Sequence, residues 1–154
     1  MVQLTDVMST QIVSVSPGSL IGDAARRMIE ADCGACVVLD DAGDLIGVIT
    51  ERDLLRCFSE AIDPSVAVEE RMTRHVLTAA PQTELAEAMA LMVDGHFRHL
   101  PVVNEDGHVI GLVSMRDLMA YTSLRLRGGS LGDDDELDPA EVIATIHRMR
   151  TGAA

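Results

Sequence analysis

Gly47-Val48-Ile49-Thr50-Glu51-Arg52-Asp53 and Gly111-Leu112-Val113-Ser114-Met115-Arg116-Asp117 follow one pattern: glycine, two aliphatic residues, a hydroxyl, two spacers and an aspartate. They lie 111 − 47 = 64 residues apart, and the same offset extends outward without an insertion. Met8 falls on Met72, Pro17 on Pro81, Ala24 on Ala88, Met28 on Met92, Val38 on Val102, Gly43 on Gly107 and Leu54 on Leu118. Conservative pairs such as Ser9 with Thr73, Ser14 with Thr78 and Asp23 with Glu87 fill the intervals. The chain is one unit of about sixty residues written twice.

Each copy carries the same succession of local signals. A short strand, Ile12 to Val15 or Val76 to Ala79, runs into Pro17 or Pro81, whose fixed φ and missing amide favour a turn. Leu20, Ala24, Met28 and Ala31 then recur at helical spacing, as do Leu85, Ala88, Met89, Met92 and Val93. Two apolar runs follow, Ala35 to Leu39 and Leu45 to Ile49, then His99 to Val103 and Val109 to Val113, each pair bridged by an Asp- or Asn- and Gly-bearing loop that reads as a hairpin. A short helix closes each copy, from Glu51 to about Cys57 and from Met115 to about Leu124, while Leu4 to Met8 and Val68 to Met72 read as helical lead-ins. The unit is β-α-β-β-α, and the fold class is α+β. A small sheet with helices on one side leaves its other face apolar, so the two units are expected to pack sheet to sheet about a pseudo-twofold axis. The expected division is 1–64 and 65–127 for the repeats, and 128–154 for an acidic linker and a terminal helix. In that last segment Asp138, Pro139 and Glu141 read as a helix start, and Val142, Ile143, Ile146 and Met149 as an apolar stripe seeking its own surface or a partner's.

At the strand-to-helix junction of each copy the hydroxyl (Thr50, Ser114) stands at the N-cap and the carboxylate (Asp53, Asp117) one turn in, at the positive end of a helix. One isolated Ser/Thr-x-x-Asp is a self-contained capping pattern. Its recurrence with the preceding glycine and aliphatic pair asks for more: an anion is held at such an end, and a carboxylate there accepts hydrogen bonds from the two hydroxyls of a ribose.

With these paired stretches, the Met8-Ser9 and Met72-Thr73 openings, Pro17 and Pro81, and the run Arg98-His99-Leu100-Pro101-Val102-Val103, the sequence resembles the tandem cystathionine-β-synthase (CBS) domain pair, or Bateman module, over about Leu4 to Ser123. The resemblance implies a non-catalytic, regulatory module that senses an adenosine ligand, AMP, ADP or ATP, with S-adenosylmethionine or NAD as further members, in the cleft between the repeats. It implies that Asp53 and Asp117 bind ribose hydroxyls and that Thr50 and Ser114 contact ribose or phosphate. Thr10 to Ile12 and Arg74 to Val76 would line the adenine pocket. It also implies a homodimer built by the amphipathic helices, in which Met28, Met89 and Met92 would offer adaptable contacts unless the core takes them. Arg98 and His99 fall on Gly34 and Ala35 of the first copy, so phosphate-binding charge differs between the two clefts.

Composition narrows the alternatives. The chain has 154 residues, 47% of them hydrophobic, and needs no disulfide or metal to build a core. A net charge of -13 argues against a nucleic-acid partner, and 2% aromatic residues with no Trp leave no stacking platform. That charge also repels a polyanion at long range, which only Arg52, Arg74, Arg98 and Arg116 offset locally. No apolar stretch approaches the roughly 20 residues of a membrane span. Three cysteines, Cys33, Cys36 and Cys57, are an odd number that fits a reducing compartment, and the expected location is cytoplasmic. Cys33-Gly34-Ala35-Cys36 offers a thiol-redox reading, but the repeat places both cysteines on apolar positions, where they read as buried. His96, His99 and His108 lack metal-ligand spacing on one face. A ligand-free interaction adaptor, binding a regulated protein, is the alternative from a different class.

Overall fold

The computed structural model describes residues 1–127, so the acidic linker and terminal helix expected over 128–154 lie outside the described residues. The first repeat comprises β1 (Ser14–Val15), α1 (Ile21–Glu30), β2 (Ala35–Leu39), β3 (Leu45–Thr50) and α2 (Glu51–Ser59). The second comprises α3 (Leu85–Asp94), β4 (His99–Val103), β5 (Val109–Ser114) and α4 (Met115–Arg127). Single 3-10 turns over Leu4–Asp6 and Val68–Glu70 precede them. The closing helices run a few residues past their expected ends at Cys57 and Leu124.

In each hairpin, period-two alternation sorts the side chains. Cys36, Val38 and Ile49 enter the core of the first repeat with Ile21, Ala24 and Met28 of α1. Leu100, Val102 and Val113 do the same in the second, with Ala88 and Met92 of α3. The opposite faces meet: Ala35, Val37, Val48 and Leu112 form a third apolar cluster, flanked by Ile12, Leu39, Leu45, Val76 and Val109. The two repeats therefore pack sheet to sheet. Met28 and Met92, offered above as dimer contacts, are buried inside their own repeats, so the core takes them.

The first strand is shorter than expected in both copies. In the first repeat β1 is reduced to Ser14–Val15, parallel to β2, although the Val37 amide still donates to the Val13 carbonyl at 3.0 Å. In the second repeat the strand expected over Val76 to Ala79 is absent, and a single parallel bridge joins Ala79 to Val102. Pro101 supplies the reason. It occupies the place of Val37 and has no amide to donate, so the corresponding rung cannot form.

The lead-ins exchange places. Leu4 and Val7 are buried in the core of the second repeat, and the Leu4 amide donates to the Thr83 carbonyl at 3.0 Å. Val68 and Met72 are buried in the core of the first, and the Val68 amide donates to the Ser19 carbonyl at 2.7 Å. Ser9 pairs with Leu112 and Thr73 with Val48, each through two backbone hydrogen bonds, so each lead-in extends the sheet of the other repeat. Packing thus crosses the sequence division at residue 64 in both directions. The motif glycines belong to this exchange: a side chain at Gly111 would run into the Met8 thioether, and one at Gly47 into that of Met72.

Candidate functional site

The sheet faces that meet also carry the chemistry. Antiparallel register places Ala35 opposite Thr50 and His99 opposite Ser114, so these four positions occupy the face shared by the two repeats. Where β3 and β5 end, α2 and α4 begin, and both junctions close as capping boxes. The Thr50 amide and hydroxyl each donate to Asp53 Oδ2 at 2.9 Å, and the Asp53 amide returns a bond to Thr50 Oγ1 at 3.4 Å. The Ser114 amide and hydroxyl each donate to Asp117 Oδ2 at 2.8 Å, and the Asp117 amide donates to Ser114 Oγ at 3.2 Å. The self-contained capping pattern is therefore made in both copies. The two carboxylates are the only buried charged groups among the described residues, Asp53 at 9% exposure and Asp117 at 0%.

The other expected site residues divide by surroundings. Ile12 and Val76 pack at the edge of the inter-repeat cluster. Thr10, Arg52, Arg74, Arg98 and Arg116 are exposed, and His99 is half-buried. Two of the arginines are engaged: Arg52 Nη1 reaches across to the His96 carbonyl of the second repeat at 3.4 Å, and Arg74 Nη2 donates to the Glu69 carbonyl at 2.9 Å. His96 holds a left-handed φ of 55° in the turn between α3 and β4. A shallow groove of about 410 Å³ beside β1 is lined by Ile12, Val13, Ser14, Arg27, Glu30 and Ala31, and Arg27 Nη1 donates to the Ser14 carbonyl at 2.9 Å. Of its lining, sequence reasoning had selected Ile12 alone.

One acid was missed. A side chain beginning at Gly34 would lie 2.7 Å from Glu51 Oε1 and 3.0 Å from His99 Nε2, so α2 of the first repeat and β4 of the second bring an acid and an imidazole together over this glycine. Burial first, and then the Arg98 charge, hold His99 below its ordinary pKa, while Glu51 and Asp117 pull the other way. The signal was present in the sequence as a departure from the repeat, since Glu51 falls on Met115 and Gly34 on Arg98.

Two of the three cysteines, Cys36 and Cys57, are buried in the first core. Cys36 is buried, and burial is the main cause that pushes its thiol up to about 12, far from nucleophilic. Cys33 is half-buried rather than fully buried, packing at the margin of the first core. Among the described residues, no group of three or more His, Cys, Asp or Glu side chains is placed to hold a metal ion, and no helix is long and apolar enough to cross a membrane.

The CBS domain family model matches this chain twice, over residues 4–60 and 68–123. The chain belongs to the CBS domain family. Its duplicated unit is therefore a CBS pair, the arrangement called a Bateman module. A CBS domain-containing protein of Bacillus subtilis, YhcV, is 34% identical over 77% of this chain and 84% of its own length. Among solved structures, the CBS domain pair of protein MJ0100 in complex with 5′-methylthioadenosine and S-adenosyl-L-methionine is similar, with a TM-score of 0.73 and 26% identity over 83% of this chain and 97% of that one. CBSX2 in complex with AMP is also similar, with a TM-score of 0.70 and 27% identity over 81% of this chain and 98% of that one. The chain spans 61% and 40% of two longer relatives, from Methanopyrus kandleri and Methanocaldococcus jannaschii, so the CBS pair also occurs inside larger proteins.

Proposed function

We propose that the chain is a non-catalytic regulatory module that binds an adenosine ligand, of the AMP, ADP or ATP type, between its two repeats. The observation that carries this reading is the placement of two hydroxyl-acid pairs on the one face that both repeats share. Two similar structures hold AMP, and 5′-methylthioadenosine with S-adenosyl-L-methionine, which supports the adenosine class. S-adenosylmethionine and NAD are further members of that class. In this reading Asp53 and Asp117 take the ribose hydroxyls beside Thr50 and Ser114. The segments Thr10 to Ile12 and Arg74 to Val76 flank the adenine, and Arg52, Arg98, His99 and Arg116 face phosphate. The repeats are the working units, with 1–64 and 65–127 as their nominal extents and each completed by the other's lead-in.

Mechanism follows from the closed capping boxes. A ribose reaches Asp117, which has no exposed surface, only if neighbouring groups move aside. Binding energy is thereby coupled to the relative placement of the repeats, and the shift is bounded by the ligand's preference between the closed and open states. The helices offer the surface that would relay it. Ile29, Leu55, Phe58, Val93 and Met119 are exposed, Phe58 at 85%, and in this reading they form a homodimer or receive a regulated protein in the cytoplasm.

Thermal unfolding with AMP, ADP, ATP, S-adenosylmethionine, 5′-methylthioadenosine and NADH tests the proposal, since a ligand that prefers the folded form raises the melting temperature. Asp117→Ala is expected to weaken the best ligand while unfolding stays cooperative. The full burial of Asp117 favours one second reading, a ligand-free adaptor. Unchanged melting across the panel, with no calorimetric heat of binding, decides for the adaptor.

A further inference from the structure

The pseudo-twofold is broken in charge at one place. Gly34 lies on Arg98, Ala35 on His99 and Glu51 on Met115, so the approach of the Glu51 and His99 side chains to the space over Gly34 has no counterpart built from Arg98, Met115 and Ala35. The pair depends on the glycine, because any side chain at position 34 would displace both partners. The charged and titratable groups facing His99 are Arg98 just before it in the bend that leads into β4, Glu51 from α2 and Asp117 from α4. His99 stands on the shared sheet face, in register with Ser114.

We propose that His99 and Glu51 together select the charge of the ligand in this cleft: a phosphate-bearing adenosine enters with uptake of one proton by His99, and an uncharged adenosine enters without it. The inference rests on the adenosine reading above. A phosphate brought to this corner meets the Glu51 carboxylate, an unfavourable like-charge encounter at short range. A proton moving from solvent to the imidazole converts the contact to a favourable one and turns both ring nitrogens into donors. Neither Ala35 nor Met115 titrates, so at most one proton is taken up per chain at this corner.

Calorimetric titration of the full chain with AMP and with 5′-methylthioadenosine, at one pH in buffers of different ionisation heat, counts the protons bound. AMP is expected to bind with net uptake that 5′-methylthioadenosine lacks, and to bind about three- to tenfold more tightly at pH 6 than at pH 8. His99→Gln should abolish the excess; titration of the AMP phosphate itself is common to both proteins and cancels in their difference. In the unaltered chain, the His99 ring followed by NMR should titrate below the ordinary histidine range when free and higher with AMP bound, an observation that does not depend on any variant folding. AMP binding with equal uptake in His99→Gln, or an unmoved His99 titration, overturns the charge selector and leaves the adenosine reading intact. Absence of binding by both ligands overturns the two together.

Discussion

At the scale of single residues, Asp53 and Asp117 show how one side chain answers two descriptions. Each carboxylate closes a capping box through the same oxygen that accepts the cap hydroxyl. The residue types that cap a helix and those that hold a ribose are the same, so the motif was legible in the sequence while its resting geometry was not. Ser114→Ala removes the cap bond and is expected to lower unfolding stability by about 0.5–2 kcal/mol in urea, with an unchanged slope; a cost near zero would show that the serine has no capping role. Glu51 escaped sequence reading because its partner, His99, is 48 residues away and becomes a neighbour only when the repeats pack (99 − 51 = 48). His99 has a consequence for stability too. Its folded-state pKa is depressed, so the unfolded chain binds more protons, and the contribution is present above the ordinary histidine range and lost as pH falls through it. Chemical denaturation between pH 8 and pH 5 should reveal that loss, and His99→Gln should flatten it. An acid limb of equal steepness in the variant would assign the loss to other groups.

At the scale of elements, the helices and hairpins were legible because their apolar spacing and their Asp-x-x-Gly and Asn-x-x-Gly turns are local signals. Gly43 and Gly107 sit at φ 85° and 82°, the left-handed positions that such turns require. The first strand was legible in place but not in length. Its length depends on what the neighbouring strand donates, and the sequence of Val76 to Ala79 cannot report that Pro101, more than twenty residues on, withholds an amide. Pro101→Val is expected to restore the rung, giving position 101 an amide protected from hydrogen exchange and a hydrogen bond worth about 0.5–1.5 kcal/mol net. The extra flexibility of the unfolded chain opposes part of that gain, which makes exchange protection the more direct measurement. A fast-exchanging amide at position 101 would mean that something besides the proline shortens the strand.

At the scale of the whole molecule, the duplication and the meeting of the two sheets were readable from the constant offset, but the reciprocal lead-ins were not. Met8 and Met72 match in the sequence, yet nothing in that match says that each lies against the glycine of the other copy. Each core is completed from outside its own repeat, so the two should melt as one transition. Leu4→Ala, although it changes the first repeat in sequence, is expected to cost about 2–5 kcal/mol and to loosen the exchange protection of α3 and β4 before that of α1 and β2. Loosening confined to the first repeat would contradict the crossed arrangement. The same crossing decides what a label reports. A fluorophore attached at exposed Thr5 is anchored to the second half of the molecule, so pairing it with a dye at exposed Arg26 gauges the separation of the halves, although the two sites are near neighbours along the chain.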